Sequence, residues 1–240
     1  MSMILAAGLL AQPAMAFDHS HGQLATVLDG AVSNAGVDYA KIESRKETLD
    51  AYLSEVANAP VSSFDDNQKL AFYINAYNAL TLNLIVEEKV KSIKDILGGK
   101  VWDQKSFNVG RKQLTLNQIE HENVRKLGDG RIHAAVNCAS KGCPPLAPKP
   151  FTPDGIDGQL TAGAKRWVAT NAFNQVGDVA RLNKIFDWYG DDFVDMPAGT
   201  ATPEDKQKAA KVFIEKYGGD LSAAKSMEWN DYDWALNTVN

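Results

Sequence analysis

The chain has 240 residues, of which 45% are hydrophobic and 23% are charged, a composition that is ordinary for a globular protein. The formal net charge is −5 and no cluster of Lys and Arg stands out, which argues against binding to nucleic-acid phosphates. No internal repeat, low-complexity tract or flexible linker divides the sequence. Residues 17–240 are therefore expected to form one globular domain.

Residues 1–16 have the pattern of a secretory signal peptide. The apolar segment 3–12 is too short to span a bilayer, and Ala14 and Ala16 have the small-residue spacing of a cleavage site. Since no Lys or Arg precedes the apolar segment, the true start of the protein could lie upstream. The sequence predicts export to the periplasm or the extracellular space, with a mature chain that begins near Phe17 and has no integral membrane segment.

Apolar periodicity predicts helices throughout the first part of the chain. A first helix is expected over 19–32 and a second over 46–57. The third begins at the capping-box pair Asp65 and Gln68 and runs to Glu87. Because this third helix is apolar on nearly every side, it is expected in the middle of the fold.

The remainder of the chain mixes short strands with further helices. In chain order the sequence predicts a helical turn at 92–97, a β-hairpin at 106–116, a helix at 117–127, a strand at 132–136, a helix at 158–169, a strand at 179–182, a helix at 203–217 and a terminal strand at 227–236. Helices outnumber strands. The predicted fold class is α+β, a helix-rich single domain with a small, mainly antiparallel sheet.

Both cysteines lie in the segment Arg131-Ile-His-Ala-Ala-Val-Asn-Cys-Ala-Ser-Lys-Gly-Cys-Pro-Pro-Leu146, where a short apolar strand is expected to run into a turn. Two cysteines in an exported protein favour a disulfide. A Cys138–Cys143 bond would close a loop of about six residues and add roughly 2 kcal/mol, so its main effect would be to shape the turn. Alternatively, Cys138 is a nucleophile activated by an imidazole, or the pair is a redox couple.

The four histidines all precede Cys138 in the chain. His121 is the better candidate for a general base, because a position near a helix N-terminus lowers the pKa of an imidazole. His133 would share a strand with Cys138 at an odd spacing, so the two side chains would point to opposite faces. His133 is therefore either a half-buried imidazole with a hydrogen-bond partner or a binding residue.

Glu120 and a pair of asparagines complete the set of candidate residues. Glu120 stands three residues after Asn117, so it either completes a capping box, which is favoured, or orients His121. Asn75 and Asn78 share one face of the long helix and need hydrogen-bond partners there. They either pin the Cys-containing turn, which is favoured, or line a ligand pocket.

Two further patterns carry weaker signals. Trp188-Tyr189, followed by Asp191-Asp192, combines aromatic surface with carboxylates that could bind a sugar or an amine, although an amphipathic helix end is the commoner explanation. No C-x₂-C or H-E-x-x-H spacing is present, so no metal is expected.

The chain resembles the family catalogued as domain of unknown function 547. The motifs that carry the resemblance are Ala71-Phe-Tyr-Ile-Asn-Ala-Tyr-Asn-Ala-Leu80, Ile119-Glu-His121, the Cys-containing segment, Ile185-Phe-Asp-Trp-Tyr189 with Asp192-Phe193, and Tyr232-Asp-Trp-Ala-Leu-Asn237. The resemblance implies a set of signature polar residues, namely Asn75, Asn78, Glu120, His121, His133, Asn137, Cys138 and Cys143. It implies no particular reaction.

The leading functional hypothesis is a thiol-dependent enzyme of the cell envelope that hydrolyses or transfers acyl or amide groups and needs no cofactor. Cys138 attacks, His121 takes its proton and Glu120 orients the imidazole. Asn137 and main-chain amides of the turn stabilise the oxyanion. The residues assigned to binding of an unknown small-molecule or peptide substrate are Asn75, Asn78, His133, Asn137, Ser140 and Cys143.

The alternative hypothesis is a non-catalytic binding module of the envelope. In that case a permanent Cys138–Cys143 disulfide holds the turn, and the polar residues form a buried network.

Overall fold

The computed structural model describes residues 16–170 and 174–239, so nearly all of the predicted signal peptide lies outside the described residues. The α-helices are α1 (Gly22–Leu28), α2 (Tyr39–Glu43), α3 (Lys46–Asn58), α4 (Asp66–Glu88), α5 (Val101–Gln104), α6 (Arg125–Leu127), α7 (Ile156–Ala169), α8 (Ile185–Trp188), α9 (Gly190–Phe193) and α10 (Pro203–Lys216). Short 3₁₀ helices span Val61–Ser63, Ile93–Gly99, Gly130–Ala134 and Pro153–Gly155, and a π-helix spans Gln118–Val124. The strands are β1 (Val32–Ser33), β2 (Gly36–Val37), β3 (Ser106–Val109), β4 (Lys112–Thr115), β5 (Val179–Leu182) and β6 (Ser226–Trp229).

The described strands form three separate two-stranded sheets. β1 pairs with β2 and β3 pairs with β4 in antiparallel fashion, whereas β5 and β6 run parallel. The β3–β4 hairpin turns at Gly110 and Arg111, whose φ angles of 59° and 66° are the left-handed values of a tight two-residue hairpin turn. The predicted helix-rich α+β class with small, mainly antiparallel pairing is confirmed.

Helix α4 lies in the middle of the fold, as predicted. Asp65 accepts a hydrogen bond from the Gln68 main-chain N–H at 2.8 Å, and the Gln68 side chain accepts one from the Asp65 N–H at 3.0 Å, so the capping box forms. Every residue from Leu70 to Val86 is buried. The helix packs against α2, α3, α7 and the π-helix, and this arrangement places its two asparagines deep inside the protein.

The buried apolar side chains form two clusters, one around α4 and one around α7, α8 and α10. In the second, the rings of Trp167 and Phe186 stack with centroids 4.5 Å apart. Ala134 belongs to the second cluster and Ala135 to the first. The chain therefore crosses from one cluster to the other just before it reaches Cys138.

The strand predicted at 132–136 is wrong, because Gly130–Ala134 is a 3₁₀ helix. Asp129 caps this helix by accepting a hydrogen bond from the Arg131 N–H at 2.9 Å. Beyond it, the main-chain groups of Ala135 and Asn137 bond to the Asn78 side chain and not to a neighbouring strand. An amide of α4 thus replaces the strand partner that the apolar pattern suggested.

The predicted terminal strand at 227–236 is shorter than expected, since β6 ends at Trp229. The following residues lie along the Cys-containing turn. Lys141 donates a main-chain hydrogen bond to the Ala235 carbonyl, and Gly142 donates one to the Asp233 carbonyl, each at 2.8 Å. The C-terminal segment is therefore part of the wall that holds the turn in place.

Across residues 16–170 and 174–239, none of the helices combines the length and the apolar composition that a bilayer crossing requires.

Candidate functional site

A cavity of about 320 Å³ lies beside the Cys-containing turn. Its polar lining residues are Asp103, Asn117, Glu120, His133, Cys138 and Cys143. Its aromatic lining residues are Tyr77, Trp102, Trp188, Tyr189, Tyr232 and Trp234. A cavity of this size, apolar in most of its wall and with a few converging polar groups, is typical of a small-molecule site.

The two cysteines face each other as free thiols in this cavity. Their Sγ atoms are 2.7 Å apart, and the Cys138 main-chain N–H points to the Cys143 Sγ at 3.1 Å. The Cys138 Sγ also contacts the Ser140 Oγ at 2.9 Å and the Tyr232 hydroxyl at 3.2 Å. Ala139, the next residue, has a φ of 63°, a strained value for a residue with a side chain.

The pKa values of the two thiols move in opposite directions. Burial raises the pKa of Cys138. Hydrogen bonds from Cys143, Ser140 and Tyr232 outweigh burial and bring that pKa down to about 7. Burial and the neighbouring Cys138 sulfur raise the pKa of Cys143 well above its usual value. Cys138 is therefore the more acidic thiol of the pair, and Cys143 remains protonated.

His133 is buried and lines the same cavity as Cys138. Its Nε2 lies 2.7 Å from the Asp192 Oδ2, and its ring packs on Tyr189 with centroids 4.2 Å apart. Because residues 130–134 are not a strand, the expected placement of His133 and Cys138 on opposite faces does not occur. Asp192 holds the Nε2 proton, which leaves Nδ1 as the basic nitrogen of the ring.

Arg125 fixes the carboxylate that holds His133. Its Nε and Nη2 bind the two Asp192 oxygens at 2.6 and 2.7 Å. Burial raises the pKa of Asp192. Hydrogen bonds from His133 and Arg125 have the larger and opposite effect, so this pKa lies well below its usual value. The carboxylate is thus ionised and stabilises positive charge on the imidazole.

The structure does not bring His121 to Cys138. The His121 Nδ1 bonds to the Arg125 Nη1 at 2.9 Å, and its ring lines a neighbouring cavity. Trp188 and Tyr189 line both cavities and therefore stand between them. The His121 imidazole stays outside the cavity of the thiol because it pairs with Arg125, four residues later in the chain.

The capping box predicted for Asn117 and Glu120 is wrong. Asn117 makes no capping bond. Instead, the Thr115 N–H donates to the Gln118 Oε1 at 3.0 Å, and the Gln118 N–H donates to the Thr115 Oγ1 at 3.2 Å, which is the reciprocal pattern of a capping box. Glu120 is therefore free of a capping role. It is 6% exposed, lines the cavity and accepts a hydrogen bond from Tyr189, whose pKa is raised by burial and by this carboxylate.

Asn78 pins the Cys-containing segment, as the favoured interpretation predicts, whereas Asn75 pins a main-chain segment outside it. Asn75 exchanges two hydrogen bonds with the main chain of Phe151, at 2.7 and 2.9 Å. Asn78 donates to the Ala135 carbonyl and accepts from the Asn137 N–H, each at 2.8 Å. Neither side chain lines the cavity.

The Asn137 side chain holds the turn from inside. Its Nδ2 donates to the Pro144 carbonyl at 2.9 Å, and its Oδ1 accepts from the Ala139 N–H at 2.9 Å and from the Asn237 Nδ2 at 3.2 Å. It does not line the cavity, so the oxyanion role predicted for Asn137 has no support in this geometry.

Apart from the weak binding pattern at 191–192, sequence reasoning gave no role to Asp192 or Tyr232, both of which the fold delivers from the last quarter of the chain. The Tyr232 ring stands against Gly142, where a Cβ atom would lie 2.9 Å from the ring, so only glycine permits this approach. The one sequence signal was their place in the family motifs near 185–193 and 232–237. Among the described residues, no group of three or more His, Cys, Asp and Glu side chains could hold a metal ion.

Residues 61–168 match the model of a family described as "Protein of unknown function, DUF547". This is the family that the sequence motifs resemble. It includes α4, the π-helix and both cysteines, whereas Asp192 and Tyr232 lie beyond it. No curated protein and no solved structure matches the chain.

Proposed function

We propose that the protein is an exported, thiol-dependent hydrolase or transferase in which Cys138 attacks an acyl or amide carbonyl. One observation carries the proposal: the Cys138 thiol shares a cavity with His133, whose Nε2 is held by Asp192 at 2.7 Å. A nucleophile, a base and a carboxylate that orients the base are the parts that such chemistry requires. In this proposal His133 takes the place of His121 as the base.

The reaction begins with the transfer of the Cys138 proton to the His133 Nδ1. The thiolate then attacks the carbonyl carbon, and the tetrahedral intermediate collapses as the imidazolium gives its proton to the leaving group. Water, or a second nucleophile, releases the acyl group from the sulfur. Burial and the neighbouring Cys138 raise the pKa of Tyr232 well above its usual value, so its hydroxyl remains protonated and can donate to the oxyanion.

The distance of 2.7 Å between the sulfurs favours a second candidate function, dithiol–disulfide exchange. Here the Cys138 thiolate attacks a substrate disulfide, and Cys143 then displaces the substrate thiol from the mixed disulfide. The chain would finish with a Cys138–Cys143 disulfide and the substrate as a dithiol. A permanent disulfide in a non-catalytic binding module is the third arrangement that these sulfurs allow.

An activated ester tests the leading proposal without knowledge of the substrate. Reduced protein treated with p-nitrophenyl acetate should gain the mass of one acetyl group on Cys138. His133→Gln should slow this acylation about 10²-fold, the low end for loss of a general base, whereas the matched variant His121→Gln should leave it unchanged. Equal rates in the wild type and His133→Gln would exclude His133 as the base.

Thiol counting on protein purified from its native location separates the alternatives. The leading proposal expects a free Cys138 that alkylates rapidly near neutral pH. Two sulfurs that react only after a reductant is added would contradict it and favour the binding module. Formation of a mixed disulfide on Cys138 of Cys143→Ser, without any acetylation by the ester, would favour disulfide exchange.

A further inference from the structure

Five aromatic rings line the cavity around Cys138. We call this set the aromatic wall: Trp102, Trp188, Tyr189, Tyr232 and Trp234. The Tyr232 and Trp234 centroids are 4.6 Å apart, those of Trp188 and Tyr232 are 4.8 Å apart, and Trp102 meets Trp234 at 5.9 Å. Trp188 is 44% exposed, so a large apolar ring is left uncovered at this site.

The charges that line this cavity are all negative. Asp103 and Glu120 are carboxylates, and neither Lys nor Arg is among the lining residues. Glu120 is buried and accepts a hydrogen bond from the Tyr189 hydroxyl; Arg125 acts on it only over a longer distance, because that guanidinium pairs directly with Asp192. A buried carboxylate is costly without a counter-charge, so a cation in the cavity would stabilise this arrangement.

Two rings of the aromatic wall already contact cations of the protein itself. The Lys94 Nζ lies 4.8 Å from the Trp234 centroid, and the Arg125 Cζ lies 5.3 Å from that of Tyr189. Neither Lys94 nor Arg125 lines the cavity. These contacts show that indole and phenol rings of this wall attract cations.

We infer that this cavity binds an organic cation, an alkylammonium or quaternary ammonium group, which the substrate carries next to its scissile acyl or amide bond. The cation packs on the aromatic wall and pairs with Glu120 and Asp103, while the carbonyl carbon reaches Cys138. A sugar would also stack on these rings, but it would leave the buried carboxylate of Glu120 without a direct counter-charge. The identification of the cation as part of a substrate rests on the proposed function, whereas the binding of the cation does not.

Charged thiol reagents measure the selectivity of the cavity directly. We compare alkyl methanethiosulfonates that carry a trimethylammonium group or a sulfonate group, and divide each rate at Cys138 by the rate with the urea-unfolded protein. The cation should be favoured over the anion about tenfold, the effect expected of a partly desolvated cation–π contact. Asp103→Asn and Trp188→Leu should each reduce this preference, whereas Asp154→Asn, at an exposed acid away from the cavity, should not.

A binding measurement separates this inference from the thiol chemistry. Tetramethylammonium should quench tryptophan fluorescence in the wild type and bind about tenfold more tightly than its neutral isostere neopentyl alcohol. If Cys138 reacts with no reagent and this preference persists, the proposed enzyme is wrong and the cation site stands. If tetramethylammonium and neopentyl alcohol bind alike, or an oligosaccharide protects Cys138 and the cation does not, the inference is overturned.

Discussion

The Cys138 thiolate depends on hydrogen bonds from residues that are distant in sequence. Cys143 and Ser140 belong to its own turn, but Tyr232 comes from the C-terminal segment. Each hydrogen-bonds with the sulfur, and together these bonds overcome the effect of burial on its pKa. A nucleophile that is ready near neutral pH is thus a property of the folded chain and not of the Cys-containing segment alone.

A second residue, His21, links the charge state of the protein to its stability. It is fully buried, its Nδ1 lies 2.8 Å from the Tyr52 hydroxyl, and burial lowers its pKa from 6.5 to about 4. In the unfolded chain the imidazole takes up a proton near its usual pKa. The folded state takes it up only at much lower pH, so the contribution of His21 to stability is complete above about pH 6.5 and is lost as the pH falls toward about 4.

Urea unfolding checks this prediction for His21. Between about pH 7.5 and about pH 5, His21 should account for a loss of about 2 kcal/mol in the free energy of unfolding. His21→Asn should lack this part of the pH dependence; asparagine tolerates the left-handed φ of 52° at this position. His19→Asn, two residues earlier, removes a smaller contribution to the lowered pKa and should retain most of this pH dependence, because burial is the largest cause. A pH dependence that is identical in the wild type and His21→Asn would contradict the prediction.

At the scale of elements, local patterns predicted the helices well and the site poorly. The capping box at Asp65 and the apolar run of α4 are local signals, and they were sufficient. The 3₁₀ helix Gly130–Ala134 has the apolar composition of a strand, and its true hydrogen-bond partner is a side chain of α4. No pattern within the segment contains that information.

The π-helix Gln118–Val124 shows why the site residues were only partly predicted. Its spacing places Glu120 in the cavity of Cys138 and His121 in the neighbouring one, although the two residues are adjacent in sequence. Such helices are rare and frequent at functional sites, and they cannot be read from apolar periodicity. The sequence thus placed Glu120 and His121 in one site, whereas the π-helix separates them into two cavities.

The pinning role of α4 leads to a prediction for Asn78. Asn78→Leu keeps the volume of the side chain but leaves the Ala135 carbonyl and the Asn137 N–H without this partner. Each of these two unpaired groups should lower the free energy of unfolding by about 1–3 kcal/mol. Thr81→Val is the matched control on the same helix. The Thr81 hydroxyl is buried and has no hydrogen-bond partner among the described residues, so its removal should be neutral or stabilising.

Urea unfolding and alkylation of Cys138 provide the two measurements. Asn78→Leu should lower both the unfolding free energy and the reactivity of Cys138 at neutral pH, because the turn loses an anchor. Thr81→Val should change neither by much. Equal losses of stability in the two variants would show that the hydrogen bonds of Asn78 do not hold the turn.

At the scale of the whole molecule, the C-terminal segment ties together parts of the chain that are far apart. The Asn237 main chain bonds to Val37 and Ala139, at 2.9 and 3.0 Å. The Asn237 side chain accepts from the Tyr39 hydroxyl at 2.7 Å and donates to the Asn137 Oδ1 at 3.2 Å. One residue therefore joins the β1–β2 hairpin to the Cys-containing turn. Contacts over such separations are beyond local sequence patterns, and Asp192 and Tyr232 could not be assigned for the same reason.

This connection predicts that the hairpin and the turn lose protection together. Asn237→Ala removes both side-chain hydrogen bonds of the residue and should cost about 1–3 kcal/mol of unfolding free energy. Amide hydrogen exchange should accelerate at Val37 and across residues 139–142, two regions that are far apart in sequence.

Thr238→Ala is the control for this prediction, because the Thr238 side chain is exposed and bonds only to the adjacent Val239 carbonyl. It should leave exchange in both regions unchanged. Faster exchange in Asn237→Ala confined to the C-terminal residues would mean that the hairpin and the turn are held independently. Faster exchange in both regions, accompanied by a higher pKa of Cys138 as Tyr232 loosens, would mean that this segment couples the fold to the reactivity of the thiol.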